Sequence, residues 1–94
     1  MQVPFHRPFL GDDEIRAVAD VLAAGWLTAG KKTVEFETAF ADFVSSPHAV
    51  AVNSATSALH LALIAAGVSE GDEVLVPAMT FASTAGVVCY LGAR

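Results

Sequence analysis

Two short apolar runs constrain this chain most: "HAVAV" at residues 48–52 and "VLVP" at 74–77. Neither alternates apolar with polar residues beyond a single position, so neither reads as a strand with one wet face; both read as strands covered on two sides. Each is followed by a helical pattern. After the first, Leu59, Ala62, Leu63 and Ala66 recur at helical spacing until Gly67. "SEGDE" then reads as a turn, and after the second run "MTFASTAGVVCYLGA" reads as a loop entering another helix. Strand, helix, strand, helix predicts an α/β fold, a mostly parallel sheet with flanking helices.

Upstream, "GDDEIRAVADVLAAG" predicts an amphipathic helix with Ile15, Val18, Val21 and Leu22 near one face, acids in its first turn and Gly25 as its stop. Beyond the loop "GWLTAGKK", Thr33 is the expected cap of a second helix carrying Phe36, Phe40, Phe43 and Val44, ended by "SSP" at 45–47. Residues 1–32 are thus an N-terminal arm and helix, and 33–94 the first part of an α/β domain. Two parallel strands do not make a stable sheet. The composition agrees that more is needed: 54% hydrophobic residues against 16% charged is too apolar for a small domain covering its own core. The chain therefore reads as the opening portion of a larger fold.

A net charge of −5 and a basic complement limited to Arg7, Arg16, Lys31, Lys32 and Arg94 argue against a nucleic-acid surface. No membrane span is expected either, because His60 and Gly67 interrupt the longest apolar stretch before the roughly 20 residues a spanning helix needs. "MQVPFHRPFLG" lacks the continuous apolar region of a signal peptide. With Cys89 as the sole cysteine there is no internal disulfide, and the cytoplasm is the expected compartment. No metal site is expected.

The most informative stretch is "VNSATSALHLAL" at 52–63, where hydroxyl-bearing residues occupy the strand-to-helix turn. A helix N-terminus has unpaired N–H groups and a partial positive charge, so it receives anions, phosphate above all. Asn53, Ser54, Thr56 and Ser57 add polar side chains at the carboxyl end of a strand, where open α/β sheets bind ligands. The alternative is that Ser54 or Thr56 merely caps the helix. Neither a G-x-G-x-x-G nor a Walker-type motif is present, which disfavours dinucleotides and nucleoside triphosphates.

Taken together, "GWLTAGKKTVEFETAFADF", "AVAVNSATSALHLALIAAGVSEGDEVLVPAMTFASTA" and "LGAR" resemble the DegT/StrS-type sugar aminotransferases over nearly the whole chain. The resemblance implies the aspartate-aminotransferase-like fold (fold type I) and the cofactor pyridoxal 5'-phosphate (PLP). It also implies transfer of an amino group, usually from glutamate, to a keto group of a nucleotide-linked sugar, by a homodimer. By the same resemblance Thr56 and Ser57 bind the cofactor phosphate, Ser54 and Ala55 shape its approach, and Phe81 stacks on the pyridine ring. Family members often carry tryptophan or tyrosine at that place, and an ordinary core aromatic is the other reading of Phe81. Thr28 and Gly30 match a loop near the substrate, where a tight turn is the bland alternative. Ser83 and Thr84 are either helix caps or pocket residues. His60 reads as a packed histidine, and His6 and Arg7 match an N-terminal motif whose role stays open.

Lys31 and Lys32 do not match the family's Schiff-base lysine, which lies downstream of anything in this chain, as does the acid that pairs with the ring nitrogen. No catalytic residue is therefore assigned, and the 94 residues alone are expected to be inactive. Two rivals stand beside the aminotransferase: a dehydratase or regulatory relative on the same fold, and a non-catalytic phosphate-binding α/β module.

Overall fold

Helix α1, Asp12–Ala24, starts where three acids, Asp12, Asp13 and Glu14, meet the positive end of the helix dipole. Glu14 reaches back to accept from the Gly11 N–H at 2.7 Å, half of a capping box closed from inside the helix. The far end stops at Gly25, whose φ of 71° is left-handed and whose N–H bonds the Leu22 carbonyl. In this computed structural model, which describes residues 3–4 and 6–94, the chain divides into two units, one ending at Ala49 and one spanning Val50–Arg94.

Helix α2, Lys31–Phe43, completes the first unit. It begins three residues earlier than a cap at Thr33 implies, so Thr33 is not its cap. Gly30 holds the N-cap position, and Thr33, three residues on, accepts from the Gly30 N–H with its hydroxyl at 3.4 Å. Phe36 and Phe40 fall one turn apart with ring centroids 5.8 Å from each other, as their spacing predicts. The helix ends at Val44, and Ser45 is left-handed at φ 55°, a conformation that costs a side chain about 1 kcal/mol.

The second unit holds α3, Ala55–Ala65, and α4, Ser83–Tyr90, which pack on each other. His60 meets Tyr90 edge-on at 5.8 Å across that contact, in keeping with a packed histidine. Val87 and Val88 of α4 and Ala93 beyond it are the buried apolar residues of this unit. Ala82, not Ser83, stands at the N-cap of α4 and supplies no side-chain cap.

The parallel sheet is the part of the expectation that the structure does not reproduce. None of the described residues lies in a strand, 48–52 and 74–77 included. The reason is the non-local nature of β structure. A strand exists only where neighbouring backbone offers donors and acceptors along its length, whereas a helix satisfies its own. One rung is nonetheless present. The Arg94 N–H bonds the Asp72 carbonyl and the Val74 N–H bonds the Arg94 carbonyl, both at 2.8 Å. Those bonds straddle Glu73 in the slanted pattern of a parallel pair. Arg94 also pairs with the Glu73 carboxylate at 3.0 Å. Gly92, at φ 72°, makes the return possible, since a side chain there would press on Glu70.

Candidate functional site

The turn before α3 gathers three of the residues singled out from the sequence. Ser54 is the N-cap, and its Oγ accepts the Ser57 N–H at 3.1 Å. The Ser57 hydroxyl donates to Asn53 Oδ1 at 2.9 Å and lies 3.0 Å from Ser54 Oγ. Capping, offered as the alternative to ligand binding, is thus real, and it falls to Ser54. It leaves the N–H groups of Ala55 and Thr56 over, because the first helical positions have no intrahelical acceptor. The Thr56 hydroxyl makes no hydrogen bond among the described residues. No acidic side chain lies in the first turn of α3. Backbone N–H groups and two hydroxyls, with no carboxylate in that first turn, make a donor set suited to a phosphate dianion.

Phe81 lies in another turn of the same unit, immediately before α4, and is 79% exposed. It is therefore not a core aromatic of this unit; its ring faces outward. Beside it Thr80 and Thr84 share a hydrogen bond, Oγ1 to Oγ1 at 2.9 Å. Only Thr84 of that pair was singled out from the sequence; the partnership with Thr80 needed the turn of backbone that brings residues four apart together.

Thr28 and Gly30 belong to the first unit. There the indole Nε1 of Trp26 donates to the Ala29 carbonyl at 3.1 Å, and the ring lies over Gly30. A side chain at 30 would stand 2.7 Å from Trp26 Cδ1 and closer still to Nε1. Gly30 thus owes its place to the ring that covers it. That contact could not be read from a glycine in a loop.

Lys31 and Lys32 both face Glu35, at 3.9 and 2.7 Å. The hydrogen bond to Glu35, reinforced by its charge, raises the Lys32 pKa above the ordinary lysine value. A nucleophilic amine needs the opposite shift. The same contact from Lys32 holds the Glu35 carboxyl below its usual range. Among the described residues no group of three or more His, Cys, Asp or Glu could hold a metal ion, and no helix is long and apolar enough to cross a membrane.

Solved structures carry the same backbone. A protein of Streptococcus pneumoniae described as a candidate sugar aminotransferase, in its PLP form, is 41% identical with a TM-score of 0.89, covering 100% of this chain and 24% of its own. The aminotransferase TlmJ of Streptoalloteichus hindustanus is 34% identical, with a TM-score of 0.82 over 99% of this chain and 26% of that one. A GDP-4-keto-6-deoxy-D-mannose-3-dehydratase of E. coli with bound hydrated PLP is 29% identical, with a TM-score of 0.89 over 99% and 25%. The chain thus spans about a quarter of the length of the structures it matches. Their agreement with it places this helical segment within the PLP-dependent aminotransferase-like fold. The family model for the DegT/DnrJ/EryC1/StrS aminotransferases matches residues 8–94, and with 41% identity to a structure that covers the whole chain, the protein belongs to that family.

Proposed function

We propose that these residues form the N-terminal portion of a PLP-dependent enzyme that moves an amino group from glutamate to a keto group of a nucleotide-linked sugar. The observation that carries the reading is the donor set at the start of α3, which suits a cofactor phosphate. PLP, when bound, supplies an electron sink that lets an amino group leave one carbon and be delivered to another. The residues of this chain hold and orient it. Thr56 offers an N–H and a hydroxyl to the phosphate, Ser57 adds its hydroxyl, Ser54 and Ala55 set the approach, and Phe81 offers a flat apolar face to the ring. Thr28 and Gly30 lie on the loop assigned to the keto-sugar. Residues 1–32 serve as an arm and helix, and 33–94 begin the PLP-binding large domain of a cytoplasmic homodimer. The lysine and the acid that complete the chemistry belong to other parts of the full-length enzyme.

The test measures PLP affinity in the full-length enzyme. Thr56→Ala is expected to weaken it by roughly 1 to 3 kcal/mol, the range for a hydrogen bond to a charged group. Ser57→Ala costs less, because the Ser57 hydroxyl must first give up Asn53. A double variant with unchanged affinity overturns the assignment. A second reading has one specific support: the dehydratase matches as closely in backbone as the aminotransferases do. Product analysis with glutamate and a nucleotide-linked keto-sugar separates the two, an amino-sugar marking transfer and a deoxy-sugar marking dehydration.

A further inference from the structure

The loop between α1 and α2 is fixed at three points. Gly25 closes α1 through its left-handed backbone, Gly30 opens α2 through the bond to Thr33, and Trp26 ties the two together across the gap. Its indole N–H holds the Ala29 carbonyl, and its ring occupies the space that a side chain at 30 would need. Within this closed loop Thr28 is exposed, and its hydroxyl makes no hydrogen bond among the described residues. A cavity of about 540 Å³ opens here, lined by Val21, Ala24, Trp26, Leu27, Thr28 and Lys32 among others. In a lining that is mainly apolar, an unpartnered hydroxyl held in place is a ready donor or acceptor for a polar ligand. We propose that Trp26 is a positioning residue for the keto-sugar: by clasping Ala29 and Gly30 it holds Thr28 where the sugar meets it.

The inference rests on the reading that Thr28 contacts the substrate, and the experiment keeps the two apart. KM and kcat for the keto-sugar are measured in the full-length enzyme for wild type, Trp26→Phe, Thr28→Val and the double variant. Trp26→Phe keeps a ring and deletes the N–H. Each single variant is expected to raise KM about fivefold, the size of one lost hydrogen bond, with kcat and the KM for the amino donor little changed. Because one residue acts through the other, the double variant is expected to be no worse than the worse single one. Fully additive losses, or a Trp26→Phe enzyme with wild-type KM beside an impaired Thr28→Val, overturn the positioning role alone. A silent Thr28→Val overturns the substrate contact and the inference with it. Should Trp26→Phe lower the yield of folded enzyme, Trp26→Tyr, which also keeps a ring and lacks the indole N–H, is judged by the same outcomes.

Discussion

A phenylalanine left 79% exposed, as Phe81 is, forgoes most of the stabilisation that burying its ring would bring, about 1.5 to 3 kcal/mol. A bound aromatic cofactor would recover part of that. Phe81→Trp is expected to retain PLP, and Phe81→Ala to weaken its binding by about 1 kcal/mol while leaving the circular dichroism of the enzyme unchanged. Loss of structure with no change in PLP affinity would return Phe81 to the core. At this scale the sequence was legible wherever a side chain answers to its own backbone. Ser54 as a cap and Gly25 as a stop both follow from local chemistry. Thr33 was misplaced because the capping position fell to Gly30, whose bond to the Thr33 hydroxyl runs backward from inside the helix.

The helices were legible as elements because a period of 3.6 and a terminator suffice to define each one. Helix α2 has a weakness at its start, since Lys31 and Lys32 put two cations at the positive end of its dipole. Glu35 offsets them. Its pKa is lowered, chiefly by the hydrogen bond from Lys32, so its contribution is fully present above the unfolded carboxylate value and is lost as pH falls through the lower folded one. Lys32 is raised, so its share persists up to high pH and fades as pH rises through that raised value. Glu35→Gln is therefore expected to lower the melting temperature near neutral pH, with the difference from wild type closing in acid. A constant difference across that range would show that Glu35 acts through packing rather than charge.

Strands belong to the whole molecule, which is why the same sequence reading found two of them and the structure forms none among its described residues. "HAVAV" and "VLVP" have the composition of covered strands, but a ladder needs neighbouring backbone that local pattern does not supply. Among the described residues, Arg94 beside Glu73 offers a rung. The apolar surface tells the same story. Val50, Leu75, Met79 and Phe81 are each 79% exposed or more. Residues 1–94 expressed alone are expected to self-associate, since such surface and unpaired backbone seek partners. Their two lysines, Lys31 and Lys32, are both paired with Glu35, and they are also expected to transfer no amino group when PLP and glutamate are supplied. A monodisperse monomer by analytical ultracentrifugation, or measurable turnover, would contradict this.

The clasp of Trp26 over Gly30 has a consequence for inheritance. A glycine required only because a ring lies on it is released once the ring is gone. Across homologous chains, positions 26 and 30 should therefore vary as a pair. Where a side chain appears at 30, the residue at 26 should be smaller than tryptophan, and where tryptophan persists, 30 should stay glycine. The constraint runs in one direction, from bulk to bareness. A lineage could lose the tryptophan first and keep the glycine for a time, but the reverse order passes through a clash.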